Sequence, residues 1–261
     1  LSPPHPPHLP LTAGEVLLRV RATAVNRLDC LQRSGKAPVP PGVTTVLGLE
    51  AAGVVVAVGA GDVGGLSVGD EVMALLPGGG YAEYVSVDAA TVMRKPRALS
   101  WAAAASIPEA WLTAFKLVHV VGKVAAGEVV LIHAAASGVG IAAVQLVVAA
   151  GATALVTVGS TDKLNMLTSR LGASGGAVRH DGPWLETISG LLPAGHKGVD
   201  LVLDPVASGY AKQNLEVLSV DGRWVLYSLL SGPSLPDDLG KTFFGQLAKK
   251  RVSLLATTLR T

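Results

Sequence analysis

Residues Val129 to Ala150 read VVLIHAAASGVGIAAVQLVVAA. A short β-branched run, Val129 to Ile132, meets a turn of small residues, His133 to Gly140. A helix-compatible run follows from Ile141 to Ala150 and is closed by Gly151. Strand, tight turn and helix is the arrangement that brings backbone N–H groups and the positive end of a helix against a pyrophosphate. Only small side chains let the backbone come that close. Ala135, Ser137 and Gly140 hold the three positions that read glycine in the usual G-x-G-x-x-G spacing. Two of the three depart from glycine, so the motif is weak until the residues after it are read.

Those residues complete a larger unit. A second β-rich run, Ala154 to Val158, starts soon after Gly151 and ends at Gly159 and Ser160, closing a strand–helix–strand unit of roughly 30 residues. Sites that take the unphosphorylated dinucleotide place Asp or Glu at the end of this second strand, to bind the ribose 2′-OH. Here no carboxylate stands at Gly159 or Ser160, and Lys163 lies just beyond. Asp162 reads as a first-turn acid opening a helix from Thr161 to Leu171. A missing acid, a hydroxyl and an ammonium group favour a 2′-phosphate, and hence NADPH over NADH as cofactor. The alternative leaves Lys163 as an ordinary solvated helix residue.

The 261 residues suffice for one large or two medium domains, and the net charge of +2 with 15% charged residues gives no basic field for nucleic acid. The uncharged stretch from Val129 to Thr161 is long enough to span a bilayer. It is interrupted by His133, Ser137, Gly138, Gly140, Gln145 and Gly151, and reads instead as buried parallel strands with packed helices, the core of a soluble protein. A single cysteine, Cys30, excludes an intramolecular disulfide framework and a cysteine-based zinc cluster. It fits a reducing, cytoplasmic compartment. The opening LSPPHPPHLP reads as an extended arm rather than a secretory signal, and the native start is expected upstream of Leu1.

From Gly14 to about Pro96 short β runs (Glu15–Ala24, Ala51–Val58, Glu71–Leu75 and Tyr81–Val87) alternate with Gly/Asp/Pro turns, the pattern of a small barrel-like β domain. Ala102–Ala105 and Glu109–Val121 read as helices, with Pro108 at a helix start. Beyond Glu128 strands at Val129–His133, Ala154–Val158, Leu201–Asp204, Arg223–Leu226 and Val252–Thr257 alternate with helices, including Trp184–Leu192. Such alternation predicts a parallel sheet covered by helices. The expected division is residues 1–112 and 113–261.

Ordered phrases along the chain carry a resemblance. They are AVNRLD at Ala24–Asp29, GLEAAGVVVAVG at Gly48–Gly59, VGDEVMALLPGGGYAEYV at Val68–Val85, IPEAWLTAF at Ile107–Phe115, IHAAASGVG at Ile132–Gly140 and DGRWVLYSLL at Asp221–Leu230. Together they resemble the medium-chain dehydrogenase/reductase superfamily, and within it the NADPH-dependent quinone oxidoreductases related to ζ-crystallin, especially the stress-inducible subgroup. The resemblance implies an α/β chain with a GroES-like β domain and a Rossmann-type parallel sheet. It places Asn26 and Thr113 near nicotinamide and substrate, and Ser137, Gly138, Val139 and Gly140 around the pyrophosphate. Asn26 also fits a turn residue, and Thr113 a helix residue bonded to a preceding carbonyl.

Metal-dependent members carry a cysteine where this chain has Asn26 and a histidine where it has Leu49, and neither replacement binds zinc. His5, His8, His119, His133, His180 and His196 show no ligand spacing. No metal site is expected, and the reaction implied is direct reduction of a conjugated acceptor.

Several positions depart from the resemblance. Ala37 stands where a tyrosine is common, leaving a wider quinone site. Arg179, beside His180, stands where relatives have a tyrosine near the adenosine phosphate; it fits either a bidentate partner for a 2′-phosphate or a solvated loop cation. Ser228 replaces a glycine near the nicotinamide amide. Asp204-Pro205-Val206-Ala207-Ser208 replaces Asp-x-Val-Gly-Gly beside the cofactor. Relatives continue past the position of Thr261, so the chain reads as a truncated or divergent short form.

The leading expectation is an NADPH:quinone oxidoreductase acting on a small quinone or conjugated carbonyl. A 2-alkenal or enoyl reductase and a non-catalytic NADPH-binding redox sensor are the alternatives. Nucleic acid is disfavoured as a partner. Val252–Thr258, apolar and β-branched, suits edge pairing in a homodimer.

Overall fold

A computed structural model describes residues 11–259; the Pro-rich opening with His5 and His8 lies outside the described residues. The chain divides between Ala110 and Trp111 into two compact units.

The first unit contains β1 (Glu15–Thr23), α1 (Arg27–Arg33), β2 (Glu50–Val58), β3 (Glu71–Leu75), β4 (Tyr84–Asp88), β5 (Val92–Arg94) and α2 (Trp101–Ala105). The five strands pair antiparallel in the order β4-β1-β2-β3-β5. Alternation along the strands sends Val16, Leu18, Ala51, Val55, Val72 and Ala74 into one core. Ala52 and Met73 go to the other face, where Ala104 and Ala105 of α2 cover them.

The expected strand at Tyr81–Val87 is shortened at its start. Gly79, Gly80 and Tyr81 donate instead to the carbonyls of Val46, Gly48 and Leu47, at 2.7, 3.0 and 2.9 Å. Two glycine-containing segments cross there. A Cβ on Gly48, whose φ is +106°, would lie 2.6 Å from Gly80 Cα.

At the division between the units, α3 (Pro108–Phe115) begins at its proline and runs into a π-helical stretch, Lys116–Val121.

The second unit runs β6 (Val129–Ile132), α4 (Gly138–Ala149), β7 (Thr153–Val158), α5 (Thr161–Leu171), β8 (Gly175–Val178), α6 (Trp184–Gly190) and β9 (Val199–Asp204). It continues with α7 (Ala211–Val217), β10 (Leu218–Leu226), α8 (Asp237–Gly240), α9 (Phe243–Lys250) and β11 (Ser253–Ala256). Six parallel strands lie in the order β11-β10-β9-β6-β7-β8. Val130 and Ile132 of β6 pack under α4 and α5, while Val129 and Leu131 face the opposite layer of α6, α7, α8 and α9. All four residues of β6 are fully buried. A strand buried on both faces reads as a continuous apolar run, which accounts for the uncharged composition between Val129 and Thr161. Among the described residues no helix is long and apolar enough to cross a membrane.

The sequence-based reading omits β8, because Gly175 and Gly176 look like a turn. A Cβ on Gly176 would collide with the Val156 carbonyl oxygen of β7, so close strand packing accounts for that glycine.

Candidate active site

Strand order reverses at β6: β7 and β8 extend the sheet one way, β9 and β10 the other. In open parallel sheets ligands bind at the carboxyl ends of the strands flanking such a switch point. The Ser137–Gly140 turn follows β6, Gly159 and Ser160 follow β7, Arg179 follows β8, Asp204 ends β9, and Ser228 lies just past β10. The sheet therefore brings these sequence-predicted residues to one edge. Thr113 is half-buried within α3, and Asn26 belongs to the first unit.

Ser137 caps α4, its Oγ accepting from the Gly140 N–H at 3.1 Å. The backbone N–H groups of Gly138 and Val139 have no acceptor among the described residues' hydrogen bonds. A Cβ on Gly140 would stand 2.6 Å from the Ala135 backbone, so the helix start lies directly on the turn. Two donors without an acceptor at the positive end of a helix are groups of the kind that can receive an anion.

At the end of β7 the backbone of Ser160 begins α5, its hydroxyl making no capping hydrogen bond. Lys163 is exposed in the first turn beside Asp162, the acid expected there. β8 pairs with β7 up to Val158–Val178, and Arg179 N–H then donates to the Val158 carbonyl at 2.9 Å. That register carries the guanidinium over Gly159, where a Cβ would be 3.8 Å from Arg179 Nε. Tyr210 is a neighbour missing from the sequence reading. Burial raises its phenol pKa, and the charge and hydrogen bond of Arg179 act in the opposite direction.

Beneath this edge lies a buried polar chain. Asp204 Oδ2 accepts from Asn214 Nδ2 and Trp224 Nε1, both at 2.9 Å. Its Oδ1 accepts from the N–H groups of Val206 and Ala207, at 2.6 and 3.1 Å. A carboxylate only accepts, so the Asn214 nitrogen must face it and the Asn214 oxygen must face His133 Nε2, 2.8 Å away. His133 Nε2 therefore carries the proton, and Nδ1 accepts from Thr157 Oγ1 at 2.8 Å. Burial holds the His133 pKa below its ordinary value, against the pull of Asp204 and Asn214. This histidine is a neutral framework group.

Asp204 also shapes the departing loop. Ala207 is held at φ +68°, in the left-handed region that glycine enters without a Cβ penalty. The alanine thus occupies a glycine-like backbone position and carries local strain. Ala207→Gly is expected to stabilise the chain by about 1 kcal/mol, raising Tm by roughly 2–4 °C. A thermal melt with unchanged or lowered Tm would show that packing of the buried methyl outweighs the strain.

In the first unit Asn26 N-caps α1, its backbone N–H donating to Asp29 Oδ2 at 2.8 Å, while Asp29 Oδ1 accepts from Gly48 N–H at 3.0 Å. The Asn26 carboxamide Nδ2 donates to Glu50 Oε1 at 2.7 Å. Glu50 is 1% exposed, and its Oε2 accepts from the Glu109 backbone N–H at 2.8 Å. Burial raises the Glu50 pKa, and the Glu109 N–H and Asn26 bonds oppose that rise. Tyr81 lies close by; burial, then Asp29, push its phenol up to about 12.

α1 and Glu50 escape the sequence reading, yet both leave a signal. Asn26 followed by Asp29 is capping-box spacing. A glutamate inside the apolar run GLEAAGVVV must find partners if that run is a core strand.

Residues 12–97 match the alcohol dehydrogenase GroES-like domain family and residues 138–261 the zinc-binding dehydrogenase family. The chain is 33% identical to the synaptic vesicle membrane protein VAT-1 homolog of Mus musculus over 93% of its own length and 59% of that protein's. Among solved structures it resembles CurK enoyl reductase with TM-score 0.82 and 33% identity, covering 95% of this chain and 74% of that one. It also resembles a quinone oxidoreductase of Pseudomonas syringae pv. Tomato DC3000 with TM-score 0.82 and 30% identity, covering 96% and 75%. The chain belongs to the medium-chain dehydrogenase/reductase family, with a GroES-like β domain and a Rossmann-type sheet. It spans about three fifths of the length of the mouse relative.

The name of the second matching family implies zinc, and the residues present do not fit it. Asn26 has its amide nitrogen committed to Glu50, Leu49 is apolar and buried, and no group of three or more His, Cys, Asp or Glu suited to a metal ion occurs among the described residues.

Proposed function

We propose that the protein is an NADPH-dependent reductase of quinones that works without a metal, and that it pairs with a second copy of itself along β11 in a reducing, cytoplasmic setting. The observation that carries this reading is the pair Asn26 and Leu49. They occupy the positions where the resemblance puts the metal ligands of zinc-dependent members, and neither polarises a carbonyl as a Lewis acid does. An acceptor reduced in such a site must already be electrophilic through conjugation. Quinones meet that condition, and the likeness to the Pseudomonas enzyme supports them.

When bound, reduced nicotinamide supplies the hydride to the acceptor. The chain binds and orients. Gly138 and Val139 N–H groups, with Ser137 and Gly140 shaping the turn, hold the pyrophosphate. Ser160, Lys163 and Arg179, around Gly159, hold the 2′-phosphate. By the resemblance, Ser228, just beyond β10, would face the nicotinamide end, and Asn26 and Thr113 would each lie near nicotinamide and acceptor.

The likeness to CurK enoyl reductase supports a second reading, reduction of an enoyl or 2-alkenal carbon–carbon double bond. NADPH oxidation by the full-length protein with 1,2-naphthoquinone, 1,4-naphthoquinone and a 2-alkenal separates the two. The quinones are expected to show kcat/KM at least about tenfold above the alkenal. The reverse order makes it an enoyl reductase, and NADPH binding without turnover makes it a sensor. Sedimentation of the same sample reads the dimer.

A further inference from the structure

We infer that Glu50 is a positioning residue, clamping one end of the Asn26 carboxamide so that Asn26 serves as an N–H donor to the oxygen of the acceptor. The inference rests on the placement of Asn26 beside the acceptor proposed above, and it adds a residue and a polarity to that site.

The geometry is specific. The Asn26 backbone is fixed by its bond to Asp29 at 2.8 Å, and Asp29 is itself held by Gly48. Its side chain donates through Nδ2 to Glu50 Oε1 at 2.7 Å. The other Glu50 oxygen accepts from the first turn of α3 through the Glu109 N–H. Burying a carboxylate is costly unless its oxygens are satisfied, and both Glu50 oxygens have donors. Because a carboxylate cannot donate, it forbids the flipped carboxamide, in which the Asn26 oxygen would face it.

One Nδ2 hydrogen is thereby spent, and no second Nδ2 bond occurs among the described residues' hydrogen bonds. Asn26 is half-buried, so its second N–H is held in a fixed direction. Reduction of a quinone or a conjugated carbonyl builds negative charge on the carbonyl oxygen. A preorganised N–H donor stabilises that charge, whereas a carboxamide oxygen would repel it.

The test compares Asn26→Ala, Glu50→Gln and the double variant N26D/E50Q in the full-length protein, measuring kcat and KM for 1,4-naphthoquinone, NADPH affinity and Tm. In Glu50→Gln the new carboxamide keeps one accepting oxygen, so it satisfies only one of the two donors unless Asn26 flips. Asn26→Ala and Glu50→Gln are each expected to lower kcat about tenfold or more, with NADPH affinity within about twofold of wild type. N26D/E50Q rebuilds the hydrogen bond with reversed polarity, the amide now at position 50 donating to the carboxylate at position 26. It is expected to regain Tm without regaining kcat.

Wild-type kcat in Glu50→Gln beside an impaired Asn26→Ala overturns the clamp and leaves Asn26 at the site. Wild-type kcat in Asn26→Ala overturns the placement of Asn26, and the clamp with it. Full recovery of kcat in N26D/E50Q reduces Glu50 to a structural role. If no acceptor is turned over, side-chain amide NMR still reads the bond. The Asn26 Nδ2 protons are expected downfield and exchange-protected in wild type and shifted in Glu50→Gln; identical spectra overturn the clamp.

Discussion

Asp204→Asn is expected to lower the unfolding free energy by about 3 kcal/mol, although it changes neither shape nor volume. The native carboxylate takes four donors, two at each oxygen. An asparagine must turn its NH₂ toward one pair. Facing Asn214 and Trp224, it would set a donor against two donors in a fully buried place. Facing Val206 and Ala207, it would set the same conflict against the loop that leaves β9. Each orphaned buried donor costs about 1–3 kcal/mol, and a hydrogen bond to a charged acceptor is worth more than one to a neutral acceptor. The damage also spreads, because Asn214 orients His133, and His133 bonds to Thr157 on β7. Urea unfolding of the two proteins measures the loss. A variant with an unchanged midpoint would mean that its donors find other acceptors at no cost.

Lys163→Ala and Arg179→Ala are each expected to raise the NADPH KM about tenfold and to leave the NADH KM within about twofold, with the double variant weaker than either single variant but short of the product of the two, because both cations act on one phosphate. Lys163 is an exposed cation on the first turn of α5, whereas Arg179 is placed by strand pairing. A charge-assisted bond to phosphate contributes about 1.5–3 kcal/mol, which covers a tenfold change for each residue. Tyr210, whose phenol feels the charge of Arg179, allows a control. Tyr210→Phe is expected to weaken NADPH less than the loss of Arg179 does, because the phenol orients the cation rather than carrying charge. Equal losses for both cofactors would assign Arg179 and Lys163 to a general role and remove the basis for preferring the phosphorylated form.

The alternation of strands and helices beyond Glu128 was open to sequence reading because each buried strand is a short β-branched run and each helix has its own start and stop. Thr161–Leu171, closed by Gly172 at φ +81°, is the plainest case. Local patterning could not show what distant segments impose. Gly176 of β8 is a glycine because β7 lies against it. The start of β4 is diverted because Gly48 and Gly80 cross. The helix after Pro108 changes to a π-helical stretch, for which periodicity gives no signal. At the site, Ser137 to Gly140, Gly159, Ser160 and Lys163 follow from one contiguous strand–turn–helix pattern. Arg179 came from the family likeness, and its contact with Gly159 depends on a strand that the composition hides. Glu50 and Asp204 act through partners 24 and 20 residues away in sequence, Asn26 and Trp224. Only the folded chain brings those partners together.

The Ser137–Gly140 turn grows from β6, a strand paired on both sides with every residue buried. Buried, doubly paired strands are the elements with the highest opening free energies, so a ligand on that turn would be tied to the most resistant part of the sheet. A nucleotide held there would brace the entire sheet rather than one loop. At a hundred times its dissociation constant it would add about 2.7 kcal/mol against unfolding. Coenzyme supply would then set how long the protein persists as well as how fast it works.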